Sequence, residues 1–141
     1  MTDFLLSLDP DGGNIEVIEG EPTLTDGPET AAILSLFGGN TDDAGLSGTN
    51  RKQWWANFVE TDDAKRLRSR TQYLLNTIPA NSGNLPRIED AMRSDLAWMT
   101  DLLAAVITVA ASIPTLGRVL LSVSLEFDGK KTAFKLSAPW K

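Results

Sequence analysis

The sequence predicts a small α+β protein folded as a single domain, with an N-terminal hairpin and helices packed on a C-terminal antiparallel meander. Three observations carry this. Val119, Leu121, Val123, Leu125 and Phe127 alternate with Arg118, Leu120, Ser122, Ser124 and Glu126, the period of a strand. Asp128-Gly129 follows at once, a favourable pair for a two-residue hairpin, and Lys131 to Ser137 returns with Thr132, Phe134 and Leu136 on one face. Upstream, apolar residues recur every three or four positions, and the length of 141 residues suits one core.

From the N-terminus, Phe4 to Leu8 and Ile15 to Ile18 are apolar segments separated by Asp9-Pro10-Asp11-Gly12-Gly13, a cluster of turn formers that predicts a hairpin. A second turn region spans Glu21 to Gly27. Pro28 to Phe37 reads as a short helix: Asp26 or Gly27 caps it, Pro28 suits its first turn, and Glu29 favours the positive end of its dipole. Gly38-Gly39 stops it, leaving Ile33, Leu36 and Phe37 on one side. Residues 38–50 form a Gly-rich loop, long enough to be an interaction loop or simply mobile.

Arg51-Lys52-Gln53-Trp54-Trp55 brings two adjacent indoles, which point in different directions in either regular structure. One of them is expected to anchor the fold and the other to meet an interface. A helix is predicted from Thr61-Asp62-Asp63 to about Ile78, with Leu67, Thr71, Leu74, Leu75 and Ile78 at helical spacing, and Pro79 ends it. Asn84-Leu85-Pro86 opens another, carrying Ile88, Met92, Leu96, Met99 and Leu103, with Trp98 on the apolar side. Val106 to Ala111 is apolar on both alternating faces, as in a covered central strand, although this pattern also fits continuation of the helix. The run Leu102 to Leu116 is shorter than the roughly 20 residues of a bilayer span, so it reads as buried core. The start, Met1-Thr2-Asp3-Phe4, lacks the basic region of an export signal, which predicts retention in the cytoplasm.

Composition narrows the chemistry. The chain has no Cys and no His, so thiol nucleophiles, Cys/His zinc sites and imidazole bases are excluded. Neither a phosphate-binding Gly-x-x-x-x-Gly-Lys nor a dinucleotide fingerprint occurs, and no cofactor or metal is expected. Asp9 to Gly13 lacks the spaced downstream ligands of an EF-hand loop. Carboxylate chemistry needs only two acids, but Asp62-Asp63 and Glu89-Asp90 each fall in the first turn of a predicted helix, where acids are expected for capping. The net charge of −6 argues against nucleic-acid or anionic-membrane binding. It is also split: residues 1–63 hold 13 acidic and 2 basic side chains, net −11, whereas residues 64–141 hold 11 basic and 6 acidic, net +5. A chain with such polarity suits a position between partners of opposite sign.

The order of segments carries a resemblance. Asp26-Gly27-Pro28-Glu29-Thr30-Ala31-Ala32-Ile33-Leu34-Ser35-Leu36-Phe37, an acidic Gly-rich loop and Arg51-Lys52-Gln53-Trp54-Trp55 follow one another. Further on come Ala97-Trp98, the Asp128-Gly129 hairpin and a terminal aromatic, Trp140. This order resembles the small baseplate wedge family of Mu-type contractile-tailed phages. Its familiar form is a Gly-Leu-Glu-Thr-Ala-Val helix ending in Ser-Leu-Phe, followed by Arg-Arg-x-Trp-Trp; Pro28 stands here where Leu is usual. The family is related to the T-even wedge subunit once labelled lysozyme-like, a label that does not establish hydrolysis.

The resemblance implies a structural virion protein of the tail baseplate, present in several copies around a six-fold axis. It would bridge the larger wedge proteins to the first ring of the tail sheath protein as a sheath initiator, with tail tube or hub proteins as further neighbours. The alternative is a carboxylate-dependent peptidoglycan hydrolase associated with the tail, for which Glu29 and Glu89 are the acids to test. Under the first reading the partner-binding candidates are Arg51, Trp54, Trp55, Lys131, Phe134, Lys135 and Trp140. Lys131 to Ser137, or its hairpin partner, is expected to pair with a strand of another chain, and Trp140 either tethers the terminus or reaches a neighbour.

Overall fold

The computed structural model describes residues 3–4, 6–9, 12–25, 28–39, 59–62 and 67–141. At the N-terminus, β2 (Leu6–Asp9) and β3 (Gly12–Ile15) form the expected antiparallel hairpin. The chain then turns again earlier than expected. β4 (Val17–Ile18) and β5 (Glu21–Pro22) pair around Glu19-Gly20, whose φ values of 52° and 84° suit a turn with two left-handed residues. β1 (Asp3–Phe4) pairs with β6 (Leu24–Thr25), which closes this region.

Helix α1 (Glu29–Phe37) begins after Pro28 with Glu29 in its first turn. It is more deeply embedded than a one-sided helix: Thr30, Ala32, Ile33, Ser35 and Leu36 are all buried. Gly38 and Gly39 are packed residues at its end rather than the start of a loose loop. A Cβ on Gly39 would run into the carbonyl of Leu67, so only glycine permits this approach.

Helix α2 (Arg70–Thr77) starts later than the periodicity predicts. Thr61, Asp62 and Leu67 to Ser69 are not helical, and residues 63–66 lie outside the described part. The reason is tertiary. Ser69 N–H donates to the Gly39 carbonyl at 3.1 Å, and the Gly39 N–H donates to Ser69 Oγ at 2.8 Å. Ser69 Oγ in turn donates to the Ser35 carbonyl at 2.8 Å. Ser69 is thereby committed to the C-terminus of α1, and its side chain is not available to cap its own helix.

Asp95 of α3 (Leu85–Leu103) supplies that cap instead. Its two carboxylate oxygens accept from Arg70 N–H at 2.9 Å and Thr71 N–H at 2.8 Å. The start of α3 matches expectation, with Pro86 in its first turn, and Ile88, Met92, Leu96 and Met99 are fully buried. It stops at Ala104, whose left-handed φ of 52° lets Ala105 N–H reach the Met99 carbonyl. Glu89 and Asp90 consequently lie in its second turn, not its first.

Three strands follow: β7 (Val106–Ser112), β8 (Arg118–Phe127) and β9 (Lys130–Pro139), paired in that order as an antiparallel meander. Asp128 and Gly129, both at positive φ, make the predicted tight turn. β7 is an edge strand and not the covered central one. Its odd residues face the helices, while Val106 is 64% exposed, because only one face of the sheet is covered. Leu102 and Leu116 are exposed as well, so the run between them is not uniformly core. The helices and the inner face, Val119, Leu121, Val123, Leu125, Leu136 and Ala138, share one apolar core.

The terminus completes this core. Trp140 is 1% exposed; its indole N–H donates to the Ile78 carbonyl at 2.9 Å and its backbone N–H to Gly117 at 2.9 Å. The Lys141 carbonyl accepts from Ala80 N–H at 3.1 Å. Trp140→Ala removes a fully buried indole and strands the Ile78 carbonyl. It should cost about 3–5 kcal/mol in urea unfolding, and removal of residues 138–141 should abolish cooperative unfolding.

Burial raises the Asp95 carboxyl from 3.8 to about 6, opposed by the hydrogen bonds from Thr71 and Arg70 and by the Arg70 charge. Between those two values the folded protein holds a proton that the unfolded chain releases. Stability should therefore fall as pH rises from about 4 to about 6 and level off above, by roughly 3 kcal/mol at most. Asp95→Asn should remove this contribution, read as the difference between variant and parent in urea unfolding across pH 4 to 7.

Candidate interaction edge on the C-terminal sheet

A three-stranded sheet has two edges, and hydrogen-bond parity determines which groups each presents. In a two-residue hairpin the residues flanking the turn, Phe127 and Lys130, form a hydrogen-bonded pair, and such pairs then alternate along the ladder. Thr132, Phe134, Leu136 and Ala138 thus direct their backbone groups to β8. The bond from Trp140 N–H to Gly117 continues the same parity beyond the strand. Lys131, Ala133, Lys135 and Ser137 direct theirs outward. By the same count Ile107, Val109 and Ala111 face outward from β7.

Side chains close part of both edges. On β7, Glu89 Oε1 accepts from the outward Ala111 N–H at 3.2 Å. On β9, Arg118 Nη2 donates to the outward Ser137 carbonyl at 3.2 Å while its Nε donates to Ser137 Oγ at 2.9 Å. Pro139 has no N–H, so nothing beyond Ser137 can continue a ladder. What remains is Lys131 to Lys135, with no strand paired to it among the described residues. β2 comes near both α1 and β9 without joining the β9 ladder.

The expected contact residues divide accordingly. Lys131 and Lys135 are exposed on the outer face of β9, on the side away from the helices. Lys131 lies 3.9 Å from Glu126 on the neighbouring strand, a distance and exposure that add little stability. Phe134 faces the other way and is half-buried against the core. Trp140 is an internal anchor and cannot be a partner contact in this fold, because its indole is enclosed and its N–H is bonded within the chain. Arg51, Trp54 and Trp55 lie outside the described residues. Arg118 and Glu89, which delimit the edges, carry no local sequence signal for that role; only the strand register reveals them.

The acidic residues considered for hydrolysis have structural engagements. Glu89 holds the Ala111 N–H and lies 3.6 Å from Arg93; Asp90 pairs with the same Arg93 at 2.8 Å. Glu29 is half-buried in the first turn of α1. A shallow depression between α2 and α3 is lined by Arg70, Leu74, Arg87, Asp90, Ala91 and Ser94. Among the described residues no group of three or more acidic side chains is placed to hold a metal ion, and no helix is long and apolar enough to cross a membrane.

Comparison with family models, with curated proteins and with solved structures finds no match for the chain. The edge geometry and the sequence therefore carry the functional argument themselves.

Glu89→Ala should expose the Ala111 amide on the β7 edge. Hydrogen exchange followed by NMR should show faster exchange at Ala111, with Ala110, which points to β8, unaffected; the loss of stability should be about 1 kcal/mol.

Proposed function

We propose that this protein is a structural subunit of a contractile-tail baseplate, bridging inner wedge proteins to the first sheath ring as a sheath initiator. The observation that carries this reading is the bounded edge at Lys131 to Lys135, unpaired among the described residues and on a strand fixed at both ends. An unpaired edge is a template for a strand from another chain, and main-chain hydrogen bonds give such contacts their strength. The segment order from Pro28 to Trp140 supports the same reading, through its likeness to small baseplate wedge proteins. So does the split of charge, which suits a subunit set between unlike neighbours.

In this role the C-terminal sheet receives a strand of the tail sheath protein, and the larger wedge proteins bind the acidic N-terminal half, for which Arg51, Trp54 and Trp55 are the candidate contacts. Several copies surround the tail tube in the six-fold assembly, and the protein resides in the virion. The chain acts through contacts and carries out no reaction.

Tagged protein expressed with the complete tail should co-sediment with intact tails, and an image of the particle should place it between wedge and sheath with a foreign strand against β9. Protein that stays at the top of the gradient, or a particle in which β9 faces only solvent, would sink the proposal. Purified protein that cleaves peptidoglycan, and loses this on changing Glu29 or Glu89, would favour hydrolysis instead.

A further inference from the structure

The open edge also constrains the side chains of the strand it accepts. We infer that the partner strand alternates, with acidic residues on the outer face beside Lys131 and Lys135 and apolar residues on the inner face beside Thr132 and Phe134. This rests on the reading of β9 as a strand-accepting edge and adds its specificity.

The pleat sets the first constraint. A strand added to β9 keeps its residues on the same faces as their neighbours, so each face of the new strand meets a different surface. On the outer face of the sheet Arg118, Lys131 and Lys135 stand against a single carboxylate, Glu126. Arg118 is committed to Ser137, and Glu126 lies near Lys131. Lys135 has a serine, Ser122, opposite it on β8, and its ammonium makes no ion pair among the described residues. Lysine on an edge normally repels other strands; the same charge selects an acidic one, because opposite charges on adjacent strands attract.

The inner face asks for the reverse. Thr132 and Phe134 are half-buried, and Leu136 beyond them is buried. Phe134 is thus only partly covered at this edge, and an apolar side chain beside it would remove further surface from water. A polar residue there would lose its hydration without gaining a partner.

The length of the site is fixed too. The Asp128-Gly129 turn bounds it on one side, and the Arg118 contact to the Ser137 carbonyl, followed by Pro139, bounds it on the other. Between these limits the paired stretch of the partner lies along Lys131 to Lys135. The other edge differs: its outward Ala111 N–H is occupied by Glu89, and β7 carries no lysine.

The test uses the full chain labelled with 15N and two capped nine-residue synthetic peptides, one alternating Glu and Val and the other alternating Lys and Val. The Glu/Val peptide should slow amide exchange at Lys131, Ala133 and Lys135 but not at Ile107 or Val109. It should bind roughly tenfold more tightly than the Lys/Val peptide, a preference that Lys135→Glu narrows or reverses and that salt weakens. Equal binding of both peptides with protection at β9 would overturn the charge selectivity and leave the strand-accepting edge standing. Protection at β9 by neither peptide would overturn the edge itself. Slow exchange at Thr132, Phe134 and Leu136, whose amides bond to β8, in the Lys135→Glu variant without peptide, matching the parent, confirms that the variant keeps the fold.

Discussion

The hydroxyl of Ser69, 2% exposed, donates to the Ser35 carbonyl near the end of α1 and accepts from Gly39 N–H just beyond it. Ser35 in turn donates to Ala31 and accepts from the Trp98 indole at 2.8 Å, which brings in α3. Three helices thus meet through two small buried hydroxyls. The arrangement answers a general difficulty: α1 and α2 have nine and eight residues, so a large share of their backbone groups lies at helix ends without intrahelical partners. Short helices cannot stand by propensity, and here three of their four ends are met by a group from elsewhere in the chain. Ser69 closes α1, Asp95 opens α2, and Trp140 takes the Ile78 carbonyl just beyond the end of α2.

This dependence gives the sheet its shape. The helices are held as one layer against the inner face of the meander, and nothing among the described residues forms a layer on the outer face. The outer face is accordingly built mostly from small or polar residues suited to water, among them Thr108, Ala110, Ser112, Ser122, Ser124 and Ala133, with Leu120 half-buried and Val106 exposed. A single covered face leaves two edges to manage. One is closed in part by a carboxylate reaching down from α3. The other is closed at its far end by an arginine from the middle strand, and β2 comes near it without pairing to it.

The parts legible in the sequence are those whose cause is local. Asp128-Gly129 sets its hairpin by its own backbone preference, Pro79 stops a helix by lacking an N–H, and the steps from Ile88 to Met99 name a buried stripe without reference to anything else. The parts that escaped have distant causes. The spacing of Leu67 with Thr71 and Leu74 is helical, yet Leu67 lies outside α2, because Ser69 is held by a contact thirty residues back. The apolar run at Val106 reads as a central strand, yet what makes it an edge is that no second strand among the described residues pairs with it, which no residue in it encodes. Alternation alone puts Lys131 and Lys135 on the face opposite Thr132 and Phe134, where the register has them. For Trp140 the sequence leaves a tether and a neighbour contact equally open, since an aromatic near a terminus looks the same whether it folds inward or outward.

The inward Trp140 bears directly on the edge. β9 is fixed at one end by a tight turn of two left-handed residues and at the other by the indole beneath it, so Lys131 to Lys135 are held extended between two anchors. A receiving strand that is already ordered loses little entropy when a partner pairs with it, and most of the ordering cost falls on the incoming segment. The residues that hold the core and those that present the edge are also on opposite sides of the same backbone. Thr132, Phe134 and Leu136 face the helices, while Lys131, Ala133 and Lys135 face away. Substitutions on the outer side can therefore alter recognition with little effect on the core, whereas changes at Trp140 or Ser69 would disturb the platform on which the edge is presented.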